Sequence, residues 1–251
     1  MTYLTTVLAD NPLHYWRLCD GKSAILHDIG SSPVHLLANS PHVAGSYTGI
    51  ESGGGSMYGF NLGGSILDGI QTTNASSIEL WCWIGSSHGS LEAFLVSHQD
   101  QGTSGQLQVA ILSSGKVLGR ISSGAVTDTA VLSKQAWHHI VVTYSTPTVT
   151  LYVDASNRGT ATSAGGTGGS FSLALGSLNN GTEPFYGFLA EVAEYNFALN
   201  STQVSAHYAA VSSPPAPVSG DISSFSFTSG SGVFPADSLA LILASVRKTY
   251  V

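Results

Sequence analysis

The chain of 251 residues carries 8 Lys and Arg against 15 Asp and Glu, a formal charge of -7, and only 9% of its residues are charged, against about 25% in average soluble proteins. Nucleic-acid binding is excluded on that ground, because phosphate contacts need clustered Lys and Arg and these eight are scattered along the length. The 29 glycines, the frequent Ser and Thr and the scarcity of helix-forming runs point to many short strands joined by turns, at a length that suits one large β-domain.

In chain order, MTYLTTVLAD has no basic start and no apolar run of signal-peptide length, so export by the general secretory route is not expected. A first strand is predicted over 14–19, closed by a turn at Asp20, Gly21 and Lys22, and residues 27–65 are predicted as loops with short strands, one over 56–62. Strands are then predicted over 77–84, 93–98, 106–112, 116–121, 138–144, 148–153, 171–175 and 187–195. The clearest signal is WHHIVVTYSTPTVTLYVD, residues 137–154. Ile140, Val142 and Tyr144 alternate with His139, Val141 and Thr143, and Val149, Leu151 and Val153 alternate with Thr150, Tyr152 and Asp154. Pro147 cannot donate to a ladder and marks the turn of this hairpin. Cys19 and Cys82 fall in predicted strands and are expected as buried free thiols.

The glycine-dense SNRGTATSAGGTGGS, residues 156–170, is expected as a solvated surface connection. A short helix is predicted over 201–209, capped by Ser201, with Val204 and Tyr208 one turn apart on one face. SSPPAPVSG is a semi-rigid proline-rich linker, which divides the chain into a domain over 1–210, a linker over 211–220 and a segment over 221–251. In that last segment FSF, 225–227, has strand character, while Leu239, Ile242, Leu243 and Val246 have helical spacing and Leu239, Leu241 and Leu243 also alternate as in a strand. Its apolar run over 239–244 is far short of the roughly twenty residues that span a bilayer, so membrane insertion is not expected. A helix of about ten residues is marginal in water. The segment is therefore expected to dock through Phe225, Phe227, Phe234, Leu239, Ile242, Leu243 and Val246 on another protein or on copies of itself, giving a symmetric homo-oligomer.

VLADNPLHYWRLCDG (7–21), SIELWCWI (77–84), the 137–154 hairpin, LALGS (173–177) and FYGFLAEVAEYNFALNSTQVSAHYAA (185–210), taken in this order, resemble the laminin-G-like, concanavalin A-type jelly rolls over roughly residues 3 to 210. The resemblance implies an all-β fold, an antiparallel jelly-roll β-sandwich closed by one short helix. It implies no single activity, since such jelly rolls serve as lectins, adhesion modules, sugar-cleaving enzymes and parts of viruses. The opening LADNPLHYWRL is also similar to the starts of such modules in bacteriophage tail and head-surface proteins, and a weakly charged surface without an export signal suits a virion. The expectation is a non-catalytic structural protein of a bacteriophage virion, displayed as a capsid decoration, head fibre or tail component beside other virion proteins. The alternative is a glycan-binding lectin that recognises a cell surface.

Retaining glucanases with this kind of fold set two Glu and an Asp on alternate residues of one strand. Here Glu191 and Glu194 are three apart, which in a strand sends them to opposite faces, and Glu79 stands alone, so no glycosidase activity is expected and Glu79 is assigned a hydrogen-bonding role within the fold. The adjacent His138 and His139 diverge in a strand, and His14, His27, His35 and His42 lack ligand spacing. No cofactor is expected. Calcium, which laminin-G-like domains hold in rim loops, is a minority expectation: it takes about six to eight oxygens, to which Asp20, Asp28, Asp100, Asp128 or Asp154 could contribute. For a glycan, Trp16, Trp81, Trp83 and Trp137 are assigned to the core, which leaves Tyr47, Tyr58, Asn179, Asn180 and Tyr186 as loop candidates for stacking and hydroxyl recognition.

Overall fold

The computed structural model describes residues 1–20, 25–37, 47–50, 55–58, 66–68, 75–85, 92–98, 107–163, 171–178, 181–211 and 214. Helix α1 (Tyr3–Ala9) is followed by strands β1 (His14–Trp16), β2 (Ile25–Leu26), β3 (Leu36–Leu37), β4 (Tyr47–Thr48), β5 (Gly55–Tyr58) and β6 (Ile66–Asp68). Next come β7 (Ala75–Ile84), β8 (Ala93–Ser97), β9 (Leu107–Ile111), β10 (Lys116–Ile121), β11 (Gly124–Val131) and β12 (Trp137–Ser145). The series ends with β13 (Thr148–Val153), β14 (Ser156–Thr162), β15 (Phe171–Leu175), β16 (Gly187–Tyr195) and helix α2 (Ser201–Ala209).

Two antiparallel sheets make the sandwich that the resemblance implied. An eight-stranded sheet runs β14-β13-β12-β7-β16-β5-β4 with β1 also on β16, and a six-stranded sheet runs β11-β10-β9-β8-β15-β6. Period-two alternation sorts the side chains. Ile78, Leu80, Cys82, Ile140 and Val142 of the first sheet and Leu95, Val109, Ile111, Val117 and Ile121 of the second form one buried core. Gly119 lets the sheets approach, since a Cβ at that position would lie 2.6 Å from Val142 Cγ2. On the other side of the eight-stranded sheet, Tyr3 and Val7 of α1 and Val204 of α2 pack on Trp81, Val141, Ala190 and Tyr195.

The β12–β13 hairpin turns at Thr146 and Pro147 as predicted, with Ser145 opposite Thr148. Several expectations are corrected. Among the described residues two helices form where one was predicted: Thr2 caps α1 by accepting from the Thr5 N–H, and the helix then buries Tyr3 and Val7. The first strand ends at Trp16, so Cys19 lies outside it and is exposed, while Cys82 is buried as expected. Strand β14 begins inside the stretch read as a surface connection, pairing with β13 from Thr148↔Thr162 to Val153↔Ser156. Strand β11 was also missed. Asn200, and not Ser201, caps α2: its side chain accepts from the N–H groups of Thr202 and Gln203 while Gln203 reaches back to the Asn200 N–H. The buried residues of α2 are Val204 and His207, and Tyr208 stays exposed over Trp81. The linker and the segment 221–251, with its seven docking residues, lie outside the described residues apart from Val211 and Pro214.

Candidate functional site

The two sheets offer two outer faces with different chemistry. Beneath the helices of the eight-stranded sheet, Glu79 on β7 is fully buried and collects four donors. Tyr3 Oη donates to Oε1 at 2.7 Å, Tyr195 Oη to Oε2 at 2.9 Å, His139 Nε2 to Oε1 at 2.7 Å and His207 Nδ1 to Oε2 at 2.9 Å. The second nitrogen of His207, Nε2, donates to Asp10 Oδ2 at 2.9 Å. With a carboxylate at each nitrogen the His207 ring is held as the doubly protonated cation. Burial pushes the Glu79 carboxyl up, but the hydrogen bonds and charges of His139 and His207 outweigh it and hold it well below the usual carboxylate range. Burial lowers the His207 pKa, and the hydrogen bond and charge of Glu79, with Asp10 behind them, reverse this and raise it. The network ties α1, α2, β12 and β16 to β7, which is the internal hydrogen-bonding role assigned to Glu79.

The other carboxylates of β16 are engaged in the same way. Glu191 accepts from Arg17 Nη2 at 2.8 Å and from Tyr15 Oη, and Glu194 Oε1 accepts from His98 Nε2 at 2.6 Å. The different partners agree with the opposite faces expected from their spacing. Among the described residues, no pair of unengaged glutamates flanks a cleft.

A Ser, His and Asp line does exist, which the sequence could not reveal because such lines are defined by geometry. His138 Nδ1 donates to Asp154 Oδ2 at 2.8 Å, and its Nε2 lies 2.9 Å from Ser133 Oγ. Nε2 also lies 3.0 Å from the Ser133 carbonyl oxygen, which can only accept. That oxygen favours a proton on the nitrogen that a catalytic base would have to present bare. The line clamps the turn before β12 to the end of β13, and Asp154 Oδ1 further accepts from the His139 N–H at 2.9 Å.

The outer face of the six-stranded sheet is built differently. Phe94 on β8, Ala110 on β9 and Leu118 on β10, with Leu178, form a separate apolar cluster there. Beside it Gln108 on β9 stands directly opposite Arg120 on β10, and Ala125 of β11 is the next neighbour in the row. Arg120 Nη1 donates to Gln108 Oε1 at 3.3 Å. Gln108 is fully buried, yet its Nε2 has no acceptor. Arg17 and Arg158 each face a carboxylate, Glu191 and Asp128, whereas half-buried Arg120 has none among the described residues. Ala125, Thr127 and Thr129 alternate outward along β11 and are exposed. This face therefore combines an apolar floor, exposed threonines, an orphan amide donor and a cation without a counter-ion.

Of the predicted glycan residues, Tyr47 and Tyr58 belong to strands β4 and β5 and not to loops, with Tyr58 opposite Phe188 on β16. Tyr186 is half-buried in the segment before β16, and Asn179 and Asn180 lie outside the described residues. Trp16, Trp81 and Trp137 are buried and Trp83 is partly buried against Trp137, in keeping with core roles. The calcium candidates are occupied by nitrogen donors: His27 on Asp20; His14, Tyr15, Gly30 and Val34 on Asp28; His138 and His139 on Asp154. Asp128 accepts from the Ala130 N–H and faces Arg158, and Asp100 lies outside the described residues. No group of three or more His, Cys, Asp or Glu among the described residues is arranged to hold a metal ion. Gln108 and Arg120 carried no signal in the sequence, because only the β9–β10 register brings them together.

Comparison with known proteins places this geometry. No curated protein matches the sequence. Among solved structures, the receptor-binding domain of botulinum neurotoxin mosaic serotype C/D superposes with a TM-score of 0.59 at 13% identity, over 80% of this chain and 51% of that one. Trypanosoma rangeli sialidase superposes at 0.55 and 13% identity, over 79% of this chain but only 32% of its own. Domain 4 of an extracellular arabinanase from Geobacillus stearothermophilus, solved in complex with arabinotriose, superposes at 0.51 and 18% identity, over 79% of this chain and 98% of that one. The chain thus spans about a third of the sialidase and half of the toxin domain. At these identities the likeness is one of fold. The family model of the concanavalin A-like lectin/glucanases superfamily matches residues 61–205, more than half of the sequence, and the chain belongs to that superfamily.

Proposed function

We propose that this protein is a non-catalytic glycan-binding domain whose binding surface is the outer face of the six-stranded sheet. The observation that carries the reading is the buried Gln108, which fixes Arg120 through its Oε1 while its own N–H groups lack an acceptor. A half-buried cation held in place mid-sheet, with no carboxylate partner among the described residues and exposed Ala125 and Thr127 beside it, suits a surface completed by a hydroxyl-rich or anionic ligand. The described glutamates of the eight-stranded sheet are committed to internal partners, which argues against acid–base hydrolysis. The arabinotriose complex of the arabinanase domain, a module matched over 98% of its own length, supports a sugar-binding use of the fold.

Display on a bacteriophage virion is a compatible setting for such a domain, supported by the proline-rich linker and the apolar segment that follows it. A glycan array probed with the full-length chain tests the main reading, together with a reducing-sugar assay on each bound glycan. Saturable binding to a defined sugar class without release of reducing ends is expected. Sugar release, or an array without binding, would overturn it.

A further inference from the structure

We infer that the outer face of the six-stranded sheet recognises glycans that carry a carboxylate, with Arg120 as the acid-reading residue and Gln108 as the residue that positions it; this rests on the glycan-binding reading and names its ligand class. The chain is acidic overall, at a formal charge of -7. Its other described arginines are neutralised inside the fold, Arg17 by Glu191 and Arg158 by Asp128. Arg120 is the exception among them. It sits mid-sheet on a rigid ladder, with Gln108 on one side and Ala125 on the other, so no neighbouring strand supplies a counter-ion in its row. Ala125 is exposed and small, which leaves that side open.

The guanidinium has five N–H donors in a planar fork and uses one of them on Gln108 Oε1. Gln108 is fully buried, so its amide is closed to a ligand and serves to position the guanidinium through Oε1. The half-buried guanidinium therefore presents donors only. A neutral sugar hydroxyl, which must also donate, meets that set less well than a carboxylate, which only accepts and fits the fork in a bidentate manner.

The rest of the face sets a direction. Lys116 lies on the same side of β10 as Arg120, four residues away, or about 13 Å along the strand. It too has no carboxylate partner among the described residues. At that end of the sheet the Glu183 backbone carbonyl accepts from the Phe94 N–H, and its carboxyl is pushed up by burial and by the charge of Glu92. Two carboxylates that already repel one another disfavour an acidic group there. An acidic sugar is accordingly directed to Arg120, with its neutral neighbours along the Leu118 and Thr127 row.

The test measures binding of the full-length chain to polygalacturonate, alginate, hyaluronan and sialyllactose, each beside its methyl-esterified or carboxyl-reduced counterpart, with dextran sulfate as a second anion. At least one acidic glycan should bind roughly tenfold or more tightly than its neutralised counterpart, and Arg120→Ala should remove that preference while leaving the melting temperature unchanged. Arg120→Lys should restore it only in part, because the planar fork is lost, and Gln108→Leu should weaken acid binding while the fold persists. Equal binding of acidic and neutralised forms, an Arg120→Ala variant that keeps the preference, or dextran sulfate bound as tightly as every carboxylate glycan would overturn the assignment. Neutral glycans bound without dependence on Arg120 would sink this inference alone, whereas the absence of any glycan binding would sink the glycan-binding reading beneath it.

Discussion

The two outer faces of the sandwich solve the same problem in opposite ways. Each strand pairs its backbone with its neighbours and is left with side chains that point away from the shared core. On the eight-stranded sheet these are Glu79, Trp81, His139 and Tyr195, and two short helices close over them with Tyr3 and His207 as partners. Every charge named there has a counter-charge or a donor, and among these residues the groups without a partner are the neutral Trp81 Nε1 and one ring nitrogen of His139. On the six-stranded sheet no helix among the described residues covers the outer face, and there the Gln108 and Arg120 side chains bond only each other. A dense buried network of this kind holds a structure together. A polar pair left incomplete costs stability, and it persists where something other than folding uses it.

Substitutions on the two faces should therefore act in opposite directions. The largest effect is expected at Glu79. Replacement by Ala strands His139 and His207 and two tyrosine hydroxyls in a buried site, which should cost about 3–5 kcal/mol and lower the melting temperature by roughly 10 °C. A loss below about 1 kcal/mol in a thermal melt would show that the helices are held by packing alone.

The second effect is a pH dependence specific to the helix-capped face. The folded pKa of His207 lies above its ordinary value near 6.5 because Glu79 and Asp10 face its two nitrogens, with Tyr3 and Tyr195 around the ring. The stability this contributes is fully present below about pH 6.5 and is lost as pH rises through the raised folded value. The depressed Glu79 pKa acts at the other end, so its contribution is lost only in strong acid. Melting temperature followed from pH 5 to 9 should fall on the alkaline side in the wild type and fall less in His207→Asn. Parallel profiles would contradict the ion pair.

On the six-stranded sheet, Gln108→Leu removes an unpaired buried amide, so stability should stay level or rise by up to about 1 kcal/mol while glycan binding weakens. A clear fall in melting temperature would mean that the amide serves the fold. The smallest change is expected for Arg120→Ala, within about 0.5 kcal/mol in chemical denaturation.

Much of the architecture was legible where apolar side chains alternate over a full strand. β10, β13, β15 and β16 match their predicted bounds, because Val, Leu, Ile and Phe at period two have one face to bury. β14 was missed for the converse reason: SNRGTAT shows mostly half-buried or exposed residues and forms an edge strand whose order comes from pairing with β13. α1 was missed because YLTTVLA has little helical preference of its own and is fixed by the Thr2 cap and by Tyr3 reaching Glu79 across 76 residues of sequence. The candidate site was illegible for a similar reason. Gln108 and Arg120 are ordinary surface-type residues in sequence, and only the register of β9 on β10 makes one the orphan partner of the other. The loop tyrosines looked more suggestive, yet two of them lie in strands β4 and β5.

Amide hydrogen exchange of the full-length chain, with and without the glycan it binds most tightly, would test the assignment of function to the open face most directly. Added protection confined to β9, β10 and β11, with α1 and α2 unchanged, is the predicted result. Protection centred on the helices, or on the β12–β13 end of the sandwich with none over β9 to β11, would contradict it.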